Sequence, residues 1–277
     1  MLADSAYGKS RVRLVALSRQ GDRHDLRDLT VAIRFKGDYE ESYTDGDNSA
    51  VLPTDTMKNT VYAMAAQQPV RDVEAFGLAL ARRFIERNPR LRRVRIDLTE
   101  QPWGRIPIGG RAHGQAFLRT GPEVRTATVQ SDRERQTIGA GVKHLLILKS
   151  SKSAFTGFLR DEFTTLPETH DRILATSLTA TWKYRNHDLD FGPSWQAVRR
   201  ALLEAFAEHD SQSVQHTMYA MGQAVLDSAA DVTAIRLVMP NKHHLPVDLT
   251  RFGLENRNEI FVATDEPFGL IEATLVR

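Results

Sequence analysis

Apolar residues follow two different periods along the first half of the chain. Residues 12–17 and 29–35 alternate or run apolar with β-branched side chains, which is typical of strands. Two helical stripes follow, in which apolar residues recur every three or four positions. The stripes are Met57, Val61, Met64 and Ala65, and then Val73, Phe76, Gly77, Leu80 and Phe84. Pro69 separates the two helices, and strands near residues 94–98 and 113–118 complete this half.

The second half repeats this order of elements. Residues 143–148 and 179–184 are predicted strands, and a helix is predicted to start after Ser194, which can cap it. The apolar stripes of its two helices are Trp195, Val198, Leu202, Ala205 and Phe206, and then Val214, Met218, Met221 and Val225. Strands near residues 235–239 and 270–276 finish the chain.

The two halves therefore predict two domains of ββααββ order, residues 1–136 and residues 137–277. This order favours antiparallel sheets with helices on one face, an α+β architecture. A sheet of four strands has exposed edges, which pairing with another subunit would cover. The pattern thus gives a physical reason to expect an oligomer.

Composition narrows the class of protein. Lys and Arg total 37 against 35 Asp and Glu, a net charge of +2 that gives no case for a nucleic-acid partner. The chain has no cysteine, which excludes disulfides, thiolate metal sites and a cysteine nucleophile. No apolar run approaches the roughly 18 residues of a membrane span, and the first ten residues do not resemble a signal peptide. We expect a soluble, cytoplasmic protein with no membrane partner.

Five groups of short motifs carry a resemblance to a known family. They are residues 7–9, residues 47–49 with 52–60, residues 155–166 with 171–174, residues 213–215 with 217–219, and residues 237–243. In these motifs, and in their order and spacing, the chain resembles the urate oxidase (uricase) family of bacterial type. The resemblance implies two tandem T-fold domains, with strands of paired subunits closing a β-barrel. It also implies a homotetramer whose active sites lie at subunit interfaces.

The resemblance also implies a set of substrate-binding residues. They are Thr54, Asp55, Phe155, Arg172, Val214, Gln215 and Asn241. Urate is flat, acidic and electron-rich, with carbonyl and N–H groups around its rim. Phe155 would stack on it, and the planar guanidinium of Arg172 would donate two parallel hydrogen bonds to an anionic edge. Gln215 and the backbone N–H of Val214 would bind the opposite rim.

Without the resemblance, these residues have simpler interpretations. Phe155 is more often a core residue in such an apolar context. Arg172 would form a surface ion pair with Asp171 or Glu168. Gln215 would have a capping role at a helix start, although free N–H groups there also favour a bound anion.

The catalytic set that the resemblance implies is Lys9, Thr54 and His243. A threonine hydroxyl is a weak base, but a lysine desolvated at a subunit interface could take a proton through it. His243 would orient or relay protons, and Asn241 with Thr54 would hold oxygen. Asp55 would act through its backbone. The simpler interpretations are an exposed lysine near a terminus and a helix cap at Thr54.

The implied reaction belongs to purine catabolism. Urate, oxygen and water would give 5-hydroxyisourate and hydrogen peroxide, with neither metal nor organic cofactor, because urate itself supplies the electrons. Many eukaryotic members end in the peroxisomal signal Ser-Lys-Leu, whereas this chain ends Leu275-Val276-Arg277. This difference again favours a cytoplasmic location.

Two other functions stay open at this point. A zinc-dependent, pterin-type T-fold enzyme would need three or four converging ligands. His243 and His244 are adjacent and so face opposite sides of a strand, while His209 and His216 are seven residues apart, so no local spacing supports zinc. A non-catalytic purine-binding module would keep the binding residues but lose the base. The presence of Lys9, Thr54 and His243 argues against this alternative.

Overall fold

The computed structural model describes residues 2–277, which fall into two compact units. The first unit extends to residue 141 and includes residues 183–195, and the second contains residues 142–182 and 196–277. Among the described residues, no helix is both long and apolar enough to span a lipid bilayer.

The first unit is built on an antiparallel sheet against which helices pack. Its elements are β1 (Tyr7–Gln20), β2 (Arg23–Gly37), α1 (Glu40–Thr44), α2 (Thr54–Gln67), α3 (Val73–Arg87), β3 (Leu91–Gln101), β4 (Trp103–Ile108), β5 (Arg111–Arg119) and β6 (Val124–Ser131). Four strands pair in the order β1-β2-β3-β6, and β4 and β5 form a separate two-stranded sheet.

Alternation along β3 creates the buried face of this sheet. Val94, Ile96 and Leu98 are at most 1% exposed, and α3 packs against β3 and β6. The helix comes closest at Gly77, where an added Cβ atom would lie 2.8 Å from Leu98 Cδ1 and 3.0 Å from Val129 Cγ2. Glycine at this position therefore lets the helix lie directly on the sheet.

The second unit has the same kind of construction. β7 (Gln136–Lys149) and α4 (Phe191–Glu208) begin in the first unit and continue here. The other elements of this unit are β8 (Leu174–Tyr184), which precedes α4, and then α5 (Val214–Ser228), β9 (Val232–Pro246), a 3₁₀ turn (Thr250–Phe252) and β10 (Phe261–Val276). The strands are ordered β7-β8-β9-β10, and α5 packs on β9 and β10. Gly222 of α5 is the close-contact point, since an added Cβ atom would lie 2.7 Å from Leu275 Cδ1.

The structure confirms the prediction of an α+β fold with antiparallel sheets, but it corrects one strand. Residues 113–118 do form a strand, β5, yet β5 pairs with β4 rather than with the main sheet. The fourth strand of the sheet in the first unit is β6, which pairs with β3 from Val94↔Ser131 to Glu100↔Arg125. The ββααββ order is therefore interrupted by a β4–β5 hairpin.

The predicted start of α4 after Ser194 is wrong. The helix begins at Phe191, and the Ser194 N–H donates to the Asp190 carbonyl at 3.2 Å. Ser194 therefore lies inside the first turn rather than capping it. Pro193 is compatible with this earlier start because the first turn of a helix does not need its N–H.

A buried ion pair joins α3 to β6 in the first unit. The Glu74 side chain is fully buried, and Arg125 donates to its two carboxylate oxygens at 2.6 and 3.2 Å. Arg125 also donates to the Phe191 carbonyl at 3.2 Å and lies over the Trp195 ring at 5.2 Å. Burial raises the pKa of Glu74 to about 7, in spite of the opposing effect of Arg125.

We expect this carboxyl to make the free energy of unfolding fall as pH rises from 4.5 to about 7. A carboxyl whose pKa is raised in the folded state stabilises the fold while protonated, and this contribution is lost as pH passes the folded-state value. Urea unfolding at fixed protein concentration across this pH range measures the effect. Glu74→Gln should remove it, whereas Glu86→Gln, an exposed site on the same helix, should not. A Glu74→Gln protein with the parent's pH dependence would contradict the assignment.

Candidate functional site

In the first unit, β1 and the start of α2 carry three of the predicted site residues: Lys9, Thr54 and Asp55. The Tyr7 hydroxyl accepts a hydrogen bond from the Leu52 backbone N–H at 3.1 Å, which ties the segment before α2 to β1. The charge of Lys9 acts on Asp55, so β1 brings its lysine to the helix start.

The backbone around Lys9 is irregular. Pairing with β2 changes register between Lys9 and Val12, and Arg11 adopts a positive φ of 57°. An added Cβ atom at Gly8 would lie 1.9 Å from the Ile33 carbonyl oxygen, so only glycine fits beside β2. Such bulges re-aim the side chains next to them. The direction of the half-buried Lys9 side chain is therefore determined by the local irregularity of the backbone rather than by regular strand geometry.

The interpretation of Thr54 as a helix cap is wrong. Pro53 occupies the N-cap position of α2 and makes no side-chain cap, while Thr54 is the first helical residue. Asp55 does lie in the first turn, where a carboxylate is favourable. Its carboxylate binds Lys58 and also accepts from Asn59 at 2.8 Å, and these contacts lower its pKa, with Lys58 the larger cause. The Asp55 side chain is thus engaged locally.

In the second unit, the segment between β7 and β8 holds Phe155 and Arg172 close together. Phe155 exchanges backbone hydrogen bonds with Thr169 at 2.7 and 3.1 Å, and the Arg172 N–H donates to the Ser153 carbonyl at 2.8 Å. The central guanidinium carbon of Arg172 lies 5.2 Å from the Phe155 ring centroid, a cation–π distance. Phe155 is half-buried, so its interpretation as a core residue is wrong.

The Arg172 guanidinium is not neutralised by the neighbouring acids. Its Nε is buried and has no hydrogen-bond partner among the described residues, and desolvation lowers its pKa. Asp171 accepts instead from the Ser151 hydroxyl at 2.7 Å, and Glu168 accepts from the Gly157 N–H at 3.1 Å. The expected ion pair with Asp171 or Glu168 is therefore wrong, and the planar cation keeps donor capacity for a ligand.

Phe158 is a neighbour of this site that the sequence did not reveal. Its ring stacks on Phe155 with centroids 4.9 Å apart and an interplanar angle of 12°. Arg160 in turn lies over Phe158 at 5.0 Å. The three-residue spacing of the two phenylalanines was the available signal, but spacing predicts contact only within regular elements, and this segment is irregular.

The start of α5 offers free backbone donors. Ser213 is the N-cap, and its hydroxyl accepts from the His216 N–H at 3.1 Å. The cap is therefore Ser213 and not Gln215. The first backbone bond of the helix runs from the Thr217 N–H to the Ser213 carbonyl, so the N–H groups of Val214 and Gln215 have no acceptor within the helix. Such donors favour a bound anion or carbonyl.

Backbone hydrogen bonds connect the Phe155 segment to the turn before α5. The Ala154 N–H donates to the Ser211 carbonyl at 2.7 Å, and the Ser211 N–H donates to the Lys152 carbonyl at 3.0 Å. Ser153 and Ser211 form a parallel bridge, and both are buried. Within the second unit, Phe155, Arg172 and the start of α5 thus belong to one hydrogen-bonded assembly.

Asn241 and His243 lie on β9 of the same unit. Being two residues apart in a strand, they share one face. Their partner strand β10 loses regular pairing between Thr264, opposite His243, and Gly269, opposite Asn241. The intervening Lys242 binds Asp265. Both predicted residues therefore lie where the sheet is locally irregular.

Across residues 2–277, no group of three or more His, Asp or Glu side chains is placed to hold a metal ion. His209 and His216 do come into contact, with ring centroids 4.3 Å apart. Their separation of seven residues along the chain did not predict this contact.

Comparison with known proteins identifies the family. A family model described as Uricase matches residues 5–130 and 138–272. Uricase from Arthrobacter globiformis is 44% identical over 277 residues, covering 100% of this chain and 90% of that protein. Uricase from Aspergillus flavus is 36% identical over 287 residues, covering 98% and 95%. The crystal structure of uricase from Arthrobacter globiformis has a TM-score of 0.95, covering 100% of this chain and 95% of that one.

The same comparisons bear on the fold. The family model matches in two successive segments, and the structural similarity extends over the whole chain, which confirms the tandem T-fold prediction. The chain therefore belongs to the uricase family.

Proposed function

We propose that this protein is a urate oxidase, which converts urate, oxygen and water to 5-hydroxyisourate and hydrogen peroxide in purine catabolism. The observation that carries the proposal is the partly buried Arg172 guanidinium beside Phe155, with Nε unpartnered among the described residues. A desolvated cation without a counter-ion is costly, so the site favours a planar anion. The family membership of the chain supports urate as that anion.

Hydrogen-bond donors and an aromatic ring of the second unit bind the substrate in this proposal. Arg172 donates two parallel hydrogen bonds to one edge of urate, which a lysine could not imitate. The Gln215 side chain and the Val214 N–H bind the other edge from the start of α5. Phe155 stacks on the purine plane, which is worth about 0.5–1.5 kcal/mol beyond burial. Phe158 covers one face of Phe155, so stacking of urate on that face would require Phe158 to move.

The proposed chemistry assigns the base to Lys9 acting through the Thr54 hydroxyl, with His243 as a proton relay. Removal of a proton leaves an electron-rich urate anion. This anion transfers electrons to oxygen held near Asn241 and Thr54, which gives a peroxide adduct. Water then displaces hydrogen peroxide and leaves 5-hydroxyisourate. Asp55 contributes through its backbone, in keeping with a carboxylate that is already bound by Lys58.

We also propose a homotetramer with active sites at subunit interfaces. Support comes from the end strands of the two units, which each have one neighbouring strand. In β10, Leu270 is 59% exposed, and in β1, Val15 is 58% exposed. Pairing of such edges with another subunit would cover unpaired backbone groups and apolar side chains. Sedimentation analysis tests the assembly, and cell fractionation tests the proposed cytoplasmic location.

The test of the reaction uses purified, metal-stripped protein. Urate loss is read by ultraviolet absorbance, in parallel with oxygen uptake and peroxide release. We expect equal consumption of urate and oxygen, with a matching amount of peroxide. Urate binding without turnover would favour the purine-binding module instead. If urate neither bound nor reacted, pterins with zinc restored would be the next substrates to assay.

A further inference from the structure

Two histidines of the second unit form a contact that the proposed mechanism does not use. His209 directly follows α4, and His216 lies in the first turn of α5. Their rings meet edge to face, with centroids 4.3 Å apart and an interplanar angle of 73°. His209 Nδ1 also lies 3.2 Å from the hydroxyl of Thr217, which is fully buried. The pair therefore spans the turn of residues 210–213 that joins the two helices.

The ring of His216 acts as a hydrogen-bond acceptor at the start of α5. Its Nδ1 lies 3.5 Å from the Gln212 backbone nitrogen, which donates to it. A protonated imidazole carries hydrogen on both nitrogens and cannot accept this bond. A positive charge in the first turn is also unfavourable because the helix dipole is positive there. Protonation would thus weaken the start of α5 in two ways.

The surroundings of His209 favour a neutral ring. Burial lowers the pKa of His209, and the neighbouring His216 and Lys149 lower it further, while Asp210 opposes them. Lys149 reaches the pair from β7 and donates to the His209 carbonyl. Two further charged groups, Lys152 and Asp171, act on Lys149 from the segment that precedes β8. The cations that face the pair therefore resist a further positive charge.

We infer that the His209–His216 pair is a proton-sensitive brace that fixes the first turn of α5 and thereby positions Gln215 for the substrate. The inference rests on the proposed function, because it assigns Gln215 to urate. Both histidines are positioning residues, since neither belongs to the binding or catalytic set. While both rings are neutral, the brace holds. Protonation of His209, whose pKa is lowered, would add a positive charge beside His216 and Lys149, and this repulsion releases the turn.

The brace can be tested without substrate, by hydrogen exchange measured by mass spectrometry on the whole protein. After correction for intrinsic exchange rates, residues 209–217 of the parent should lose protection between pH 8 and about pH 5.5, relative to α3. A His209→Asn/His216→Asn double variant keeps acceptor oxygens but cannot be protonated, so its protection should stay constant. Parent protection that does not change with pH would overturn the inference.

The second test separates binding from chemistry. We expect the parent's KM for urate to rise about tenfold more than that of the double variant between pH 8 and about pH 5.5, with kcat within about twofold. The ionisation of urate affects both proteins equally, because the parent and the double variant are assayed with the same substrate at each pH. His187→Gln, at an exposed histidine, should follow the parent. If KM at acid pH rose equally in the parent and in the double variant, the inference that the histidine pair acts as a brace would be overturned. Absence of urate turnover would instead overturn the proposed function, and hydrogen exchange would still decide on the brace.

Discussion

Replacing Arg172 by alanine should lower kcat/KM for urate by about 100-fold or more, chiefly through a higher KM. Truncation of a desolvated group that binds an opposite charge costs about 2–5 kcal/mol, and each 1.4 kcal/mol is a factor of ten. The reason is specific to this site: the Arg172 Nε is buried without a hydrogen-bond partner in the described part of the chain, and Asp171 bonds elsewhere. Initial rates across a range of urate concentrations measure the effect.

Two further variants sharpen this result. Arg172→Lys keeps the charge but loses the planar fork, so it should recover only a minor part of the lost activity. Arg251→Ala removes an exposed arginine of the same unit and should leave KM unchanged. An Arg172→Ala protein that retained the parent's KM would show that the guanidinium does not bind the substrate.

Replacing Lys9 by methionine should lower kcat by about 10²–10⁴-fold while KM changes little, because general bases typically contribute that much. Methionine keeps the length of the side chain but cannot take a proton. Lys36→Met removes a lysine that pairs with Asp4 at the surface and serves as the matched control. Normal turnover in the Lys9→Met protein would exclude Lys9 as the base.

The same two residues test whether active sites are shared between subunits. Lys9→Met and Arg172→Ala proteins, each of low activity, should regain activity when they are dissociated and reassembled together. If each site takes the two residues from different subunits, random assembly leaves about one quarter of the sites intact. Confirmed subunit exchange without recovery of activity would place both residues of a site in one subunit.

Local periodicity predicted the elements that bury a regular stripe. The stripe from Val73 to Phe84 became α3, and the stripe from Val214 to Val225 became α5. Periodicity could not assign β6 to the sheet, because strand partners are chosen by long-range pairing. Arg125 also made β6 difficult to recognise, because an arginine is not expected at a buried strand position and its burial depends on the ion pair with Glu74. The domain boundary at residue 136 stays a prediction.

The site was predictable only in part, for similar reasons. The resemblance named Arg172, but residue types alone favoured its pairing with Asp171. That pair is absent because the turn directs the carboxylate to Ser151. The stacking of Phe158 and the contact of the two histidines arise in irregular segments, where sequence spacing does not fix distance. The roles of Lys9 and the other catalytic residues stay predictions until kinetics test them.

Gly77 of α3 and Gly222 of α5 each lie where a helix packs on the sheet of its own unit, Gly77 against β3 and β6 and Gly222 against β10. Neither contact has room for a methyl group, so in each unit the helix packs on its own sheet at a distance that only glycine allows. Two units with the same construction, each with its own helix–sheet contact, can carry different functional residues. The first unit holds the proposed base, and the second holds the proposed anion-binding groups. Engineering of the anion-binding groups can therefore be confined to the second unit, leaving Lys9 and Thr54 of the first unit unaltered.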